Sequence, residues 1–229
     1  VTDQLTFSAH RGSIAKGRFI RVVNYHNTPH ARRAALRDEL ALYARRFISI
    51  GVDELDHFFA TGEWSDDRPA FLPVFYEGYR NGAEVAGPVC DELGLTAWFM
   101  VCTGFVDCPI EEQEIYARSH FIGLVDEDLA RPGERLAMTW QDVADLAQRH
   151  TVSPHTASHA GIADVRSPAE FEREIVEPKR KMDEVTGQSA AAFAWLHGTQ
   201  FGMSIDHDRA LQEAGYRYLI SNTMIHRIG

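Results

Sequence analysis

The stretch Ser153-Pro154-His155-Thr156-Ala157-Ser158-His159 carries two imidazoles four residues apart, just past an apolar helical pattern. On a helical turn, residues i and i+4 share one face, so this spacing lets both rings reach a single ion. The same residues admit a plainer reading, in which Ser153 caps a helix opening at Pro154 and the two His are first-turn residues. In a chain with 11 His, such a pair alone is a weak signal. Its weight depends on what the rest of the chain places beside it.

Around this stretch the chain alternates between strand and helix patterns. Residues 1–17 are polar and read as an entry arm. Residues 19–25, Phe-Ile-Arg-Val-Val-Asn-Tyr, form a β-branched run that predicts a first buried strand. Helical spacing follows over 31–47 and 52–60, then a polar loop over 64–69. Residues 70–75 predict a second strand, with Pro73 counting against it. A helix over 82–93 leads to an apolar third strand over 95–102. Residues 105–138 are mixed, with turns at Asp107-Cys108-Pro109 and Arg131-Pro132-Gly133. Thr139 reads as the cap of a helix that ends near His150. A charged helix over 168–185 stops at Thr186-Gly187, where glycine suits a C-cap. Strands over 190–195 and 216–221 flank a last helix over 205–214. Such alternation implies a largely parallel sheet and an α/β fold. With no repeat, low-complexity run or linker, residues 1–229 read as one domain.

Composition narrows the function. The chain has 23 Lys+Arg against 33 Asp+Glu, a net charge of −10, which argues against nucleic acid or an anionic membrane as partner. Cys90, Cys102 and Cys108 form no Cys-x-x-Cys pair and read as free core thiols. No apolar stretch is long enough for a membrane span. The N-terminal residues lack the apolar core of a signal peptide, so a cytoplasmic protein is the expectation.

In parallel α/β folds, functional residues collect where strands end. Here those positions hold His26, Tyr76, Glu77, His155, His159 and His197. Two or three His with one carboxylate make the ligand set of a catalytic zinc-type site that keeps a position open for water. Such an ion acidifies bound water and polarises a carbonyl, which suits hydrolysis of an ester or amide. Each residue also has a duller reading: His26 bonded within its own turn, Glu77 as a solvated loop acid, His197 as a packed loop ring.

Several stretches resemble the NodB-like polysaccharide deacetylase family. Val74-Phe75-Tyr76-Glu77-Gly78-Tyr79 resembles its Thr-Phe-Asp-Asp-Gly-Tyr motif, and His155-Thr156-Ala157-Ser158-His159 is similar to its His-(Ser/Thr)-x-x-His motif. Phe193-Ala194-Trp195-Leu196-His197-Gly198 resembles the third motif. Tyr25-His26 resembles a first-strand Tyr-His, and Gly215-Tyr216-Arg217-Tyr218 a recurring late strand. The likeness runs in the right order over roughly residues 19–225. It implies a distorted (β/α) barrel, one divalent metal ion (commonly zinc) held by a carboxylate and two His, and hydrolytic removal of an acyl group from an N-acylated sugar.

Carried over position by position, the resemblance puts the metal on Glu77, His155 and His159. The carboxylate that serves the family as general base falls on Tyr76, a poor base, because an ordinary phenol has a pKa of about 10. Glu77 replaces an Asp, so its extra methylene displaces the oxygen unless the backbone compensates. Proton transfer is then expected from His197 or His26, and substrate contacts from Trp195 and Tyr79. The family's late apolar-His pair has only a loose counterpart in His226. Three functions follow. One is a metal-dependent hydrolase acting on the amide C–N bond of an oligosaccharide or sugar-like small molecule. Another is a catalytically impaired binding protein of the same fold. The third is an amide hydrolase for a small non-sugar substrate.

Overall fold

The computed structural model describes residues 17, 19–63, 66–130 and 132–228. Most of the expected entry arm, Trp64 and Ser65 of the polar loop, and Arg131 of the second turn lie outside the described residues. The strands are β1 Ile20–Tyr25, β2 Ile48–Ser49, β3 Ala70–Glu77, β4 Trp98–Val101, β5 Thr151–Pro154, β6 Ala192–Phe193, β7 Tyr218–Ser221 and β8 Met224–Arg227. Strands β1 to β5 form one parallel sheet in the order β1-β3-β4-β5, with β2 also on β3. Strands β6, β7 and β8 form a second sheet, whose β7–β8 pair is antiparallel. Because β6 lies beside β5 and β8 beside β1, the two sheets run around a ring with two seams. Ser153 Oγ bridges one seam by accepting from the Ala192 N–H at 3.3 Å. The result is a distorted β/α barrel.

Strand β3 is buried along all eight residues. Its alternation sends Leu72, Val74 and Tyr76 into the barrel with Val22, Trp98, Met100, Tyr218 and Ile220, while Phe71 and Phe75 face the helices. Pro73 is tolerated in this central strand for a specific reason. One edge of β3 pairs with β1, and the other is shared by β2 at Ala70 and Phe71 and by β4 from Val74 onward. Pro73 falls in the gap between β2 and β4, where a missing N–H removes no ladder bond.

The helices are α1 Arg33–Ala44, α2 Val52–Thr61, α3 (a π-turn Gly82–Ala86 continued by Gly87–Glu92), α4 Thr103–Asp107, α5 Gln113–Ser119, α6 Asp126–Leu129, α7 Trp140–Ala147, α8 (Pro168–Phe171, a π-turn Glu172–Val176, then Glu177–Thr186) and α9 Ile205–Ala214. Helix α7 opens on a reciprocal cap: Thr139 Oγ1 accepts from Asp142 N at 3.1 Å, and Asp142 Oδ2 accepts from Thr139 N at 2.7 Å. Ser167 and Glu170 do the same for α8, which ends at Gly187 with φ 68°. Both π-turns stop two residues before a proline, Pro88 or Pro178. A proline lacks the N–H and crowds the carbonyl four residues back, and widening the turn relieves both conflicts.

Four expectations need correction. The first strand is not fully buried: among its residues only Val22 is, because β1 borders a seam. Residues 105–138 hold α5, α6 and a short 3-10 turn, Ile110–Glu112, which the mixed pattern concealed. The strand expected over 190–195 pairs only at Ala192–Phe193, and β8 was not foreseen. The two-His stretch is no helix. It is the end of β5 followed by a turn. No helix among the described residues is long and apolar enough to cross a membrane.

Candidate metal centre

The end of β3 delivers Tyr76 and Glu77 to the same mouth of the ring as the end of β5. Glu77 adopts φ 68°, which breaks the strand's alternation and turns its carboxylate toward the two His instead of the helix layer. His155 continues β5, its N–H donating to Val101 O at 2.8 Å. Thr156 and His159 then take φ 60° and φ 58°, left-handed values that cost non-glycine residues energy and persist only where neighbours hold them. The turn is held on every side. The Thr103 and Gly104 N–H groups donate to Thr156 O and Ala157 O, and Thr156 Oγ1 accepts from the Ala160 N–H at 2.8 Å.

Glu77, His155 and His159 are each buried, and one ligand atom from each lies within 4.8 Å of the others. His159 Nε2 is 3.5 Å from Glu77 Oε1. His155 Nδ1 donates to Ala194 O at 2.8 Å, and His159 Nδ1 to His120 O at 2.7 Å. Each ring therefore spends Nδ1 on a carbonyl, the arrangement that fixes the tautomer and leaves Nε2 as a lone-pair donor. Burial pushes both imidazoles below their ordinary pKa, His155 strongly and His159 despite the pull of Glu77. Neutral rings and one carboxylate, aimed at a common point, fit a zinc-type ion.

The pocket over this cluster measures about 600 Å³ and brings in His26, Tyr76, Tyr79, Trp195 and His197. His26 Nδ1 contacts both Glu77 oxygens, at 2.8 and 3.0 Å, and that bond raises the pKa of the ring. Tyr76 lies between two rings, stacked on His26 at 5.4 Å and edge-on to His155 at 5.1 Å. Burial pushes its phenol well above the usual value. Tyr79 donates its hydroxyl to Gly123 O at 2.7 Å. Trp195 is 2% exposed and packs on Phe193 and His207, touching the pocket with little of its surface. His197 is exposed at the rim with φ 68°, its carbonyl accepting from Asn222 Nδ2 at 3.4 Å. His226 does not line the pocket; its Nε2 pairs with Ser221 Oγ at 2.7 Å.

Sequence reasoning missed several participants. Glu174 and His120 support the turn from distant helices and loops. Asn24, Phe121, Gly123 and Asn222 line the pocket. Of these, Asn24 alone had a local signal, since it precedes Tyr25-His26 on the inward-facing side of β1.

A sequence model of the polysaccharide deacetylase family matches residues 57–219, most of the chain. The chain belongs to this family. No curated protein matches it. Among solved structures it is similar to a Streptococcus pyogenes deacetylase, PplD, in complex with acetate (15% identity, TM-score 0.62, 87% of this chain and 80% of that one). It is also similar to IcaB from Ammonifex degensii (16%, 0.63, 89% and 84%) and to a de-N-acetylase from Aggregatibacter actinomycetemcomitans (14%, 0.63, 92% and 91%). At these identities the likeness is one of fold.

Proposed function

We propose that the protein is a metal-dependent hydrolase that cleaves the amide C–N bond of an N-acylated carbohydrate or related small molecule, releasing a carboxylate and an amine. The observation that carries this reading is the convergence of one ligand atom each from Glu77, His155 and His159, with both rings already fixed through Nδ1 on backbone carbonyls. A divalent ion such as zinc, when bound there, activates water and polarises the amide carbonyl. Family membership supports a carbohydrate substrate, and acetate bound to a protein of similar fold fits an acetyl group as the acyl portion.

The chain's own residues divide the remaining work. Tyr76, held neutral by burial, does not serve as base; its hydroxyl has no protein partner among the described residues and orients water or a substrate oxygen. Proton transfer falls to His26 beside Glu77 and to His197 at the rim. The test is amine release from N-acetylated chito-oligosaccharides by the zinc-loaded protein, with metal content measured on the same sample. Amine release that stops on chelation supports the reading; no bound metal together with no release overturns it.

One observation favours a second reading. The position that carries the family's base holds a phenol. A protein with saturable oligosaccharide binding and no turnover would be a binding member of the family.

A further inference from the structure

We propose that Glu174 is a positioning residue that pre-sets the spacing of His155 and His159. The inference rests on the metal-site reading above. Glu174 is fully buried on α8, far in sequence from the strand ends. Its Oε2 accepts from the Ala157 and Ser158 backbone N–H groups at 3.1 and 2.9 Å. Its Oε1 accepts from Ser158 Oγ at 2.9 Å and from Arg173 Nε at 2.8 Å. The two amides belong to the residues between the two His, so one carboxylate holds the middle of the turn that sets their separation.

The reason a buried acid is available here lies in the helix. Glu174 is the central residue of the π-turn Glu172–Val176, closed by the Glu177 N–H donating to Glu172 O. Pro178 stands four residues after Glu174, so its ring would crowd the Glu174 carbonyl in a regular helix. The widened turn accommodates that carbonyl and presents the Glu174 side chain to the turn. Single π-turns of this kind recur at functional sites.

The turn needs such a support. Thr156 and His159 both occupy left-handed backbone, and an unsupported turn relaxes toward cheaper conformations. A carboxylate that accepts charge-assisted and backbone hydrogen bonds while excluded from water holds it firmly.

The test compares wild type, Glu174→Gln and Glu174→Ala for zinc affinity, by competition with a chromophoric chelator, and for thermal stability. Loss of an outer partner of metal ligands typically costs about 10–100-fold in affinity. Glu174→Ala is expected to fall in that range, with a smaller loss for Glu174→Gln, which keeps one acceptor oxygen. Zinc affinity equal to wild type in both variants, with only the melting temperature lowered, overturns the inference. Should Glu174→Ala fail to fold, Glu174→Gln alone decides. Proton–nitrogen correlation spectra of the metal-free proteins give a second readout. Wild type is expected to show single Nδ1–H tautomers for His155 and His159, and the variants exchange-broadened rings; unchanged ring signals in the variants overturn the inference. If wild type takes up no zinc, the metal reading fails, and the spectra still decide the role of Glu174.

Discussion

The ring of His26 faces both oxygens of Glu77, with Nδ1 at 2.8 Å from Oε1 and 3.0 Å from Oε2. One residue at the end of β1 thus orients the carboxylate at the end of β3. The Glu77 side chain is 3% exposed, whereas that of His26 is 62% exposed, so the pair joins the buried centre to the open pocket. His26→Ala is expected to lower kcat about 10²–10⁴-fold, because it removes a proton-transfer group together with the partner that orients Glu77, with zinc content retained. Parallel loss of zinc would place its effect on holding the ion through Glu77 and not on turnover alone.

The three converging side chains are expected to act as a unit. Glu77→Gln, His155→Ala and His159→Ala should each reduce bound zinc from about one ion per chain to near zero, because three protein ligands are the minimum for a catalytic zinc site. Elemental analysis of protein purified with added zinc checks this. Full occupancy in any one variant would remove that residue from the ligand set.

Tyr76 is expected to limit the rate. Wild type should be slow on N-acetylated chito-oligosaccharides, and Tyr76→Asp should raise kcat, since a general base is worth about 10²–10⁴-fold. The same change removes a ring wedged between His26 and His155 and brings a second carboxylate near Glu77, so a lower melting temperature is expected alongside. Rate and melting curve, measured on one preparation, test both halves. A wild type already as fast as ordinary deacetylases would show that another residue supplies the base.

His150 should contribute to acid lability. Its Nδ1 accepts from the Ala97 N–H at 3.3 Å, and its buried Nε2 lies 3.5 Å from Asp91 Oδ1. Burial lowers its pKa below the ordinary 6.5 despite Asp91. The unfolded chain therefore binds a proton that the folded chain resists. Stability is full above pH 6.5, falls as pH drops from 6.5 toward the folded pKa, and levels off below it. His150→Asn keeps an acceptor near Nδ1 but does not titrate, so its melting temperature should fall less steeply between pH 7 and 5. Identical slopes for the two proteins would contradict this.

Which residue types stand at the strand ends is legible in the chain. The apolar runs, the helical spacing and the stop at Thr186-Gly187 are local records of burial and backbone preference, readable within a window of a few residues. They were enough to put Glu77, His155 and His159 after strands and to carry the resemblance to the family. How those residues meet depends on packing between distant segments. The two His share a face through a turn with two left-handed residues, not through a helical turn, because the neighbouring strand and helices supply partners for its polar groups. Pro73 sits inside a central strand because β2 and β4 leave a gap opposite it. Glu174 meets the turn across 16 and 17 residues, the His155 and His159 ring nitrogens find their carbonyls across 39, and His26 reaches Glu77 across 51. Contacts at such separations leave no periodic trace in the chain; they exist only once packing has fixed the backbone that carries them.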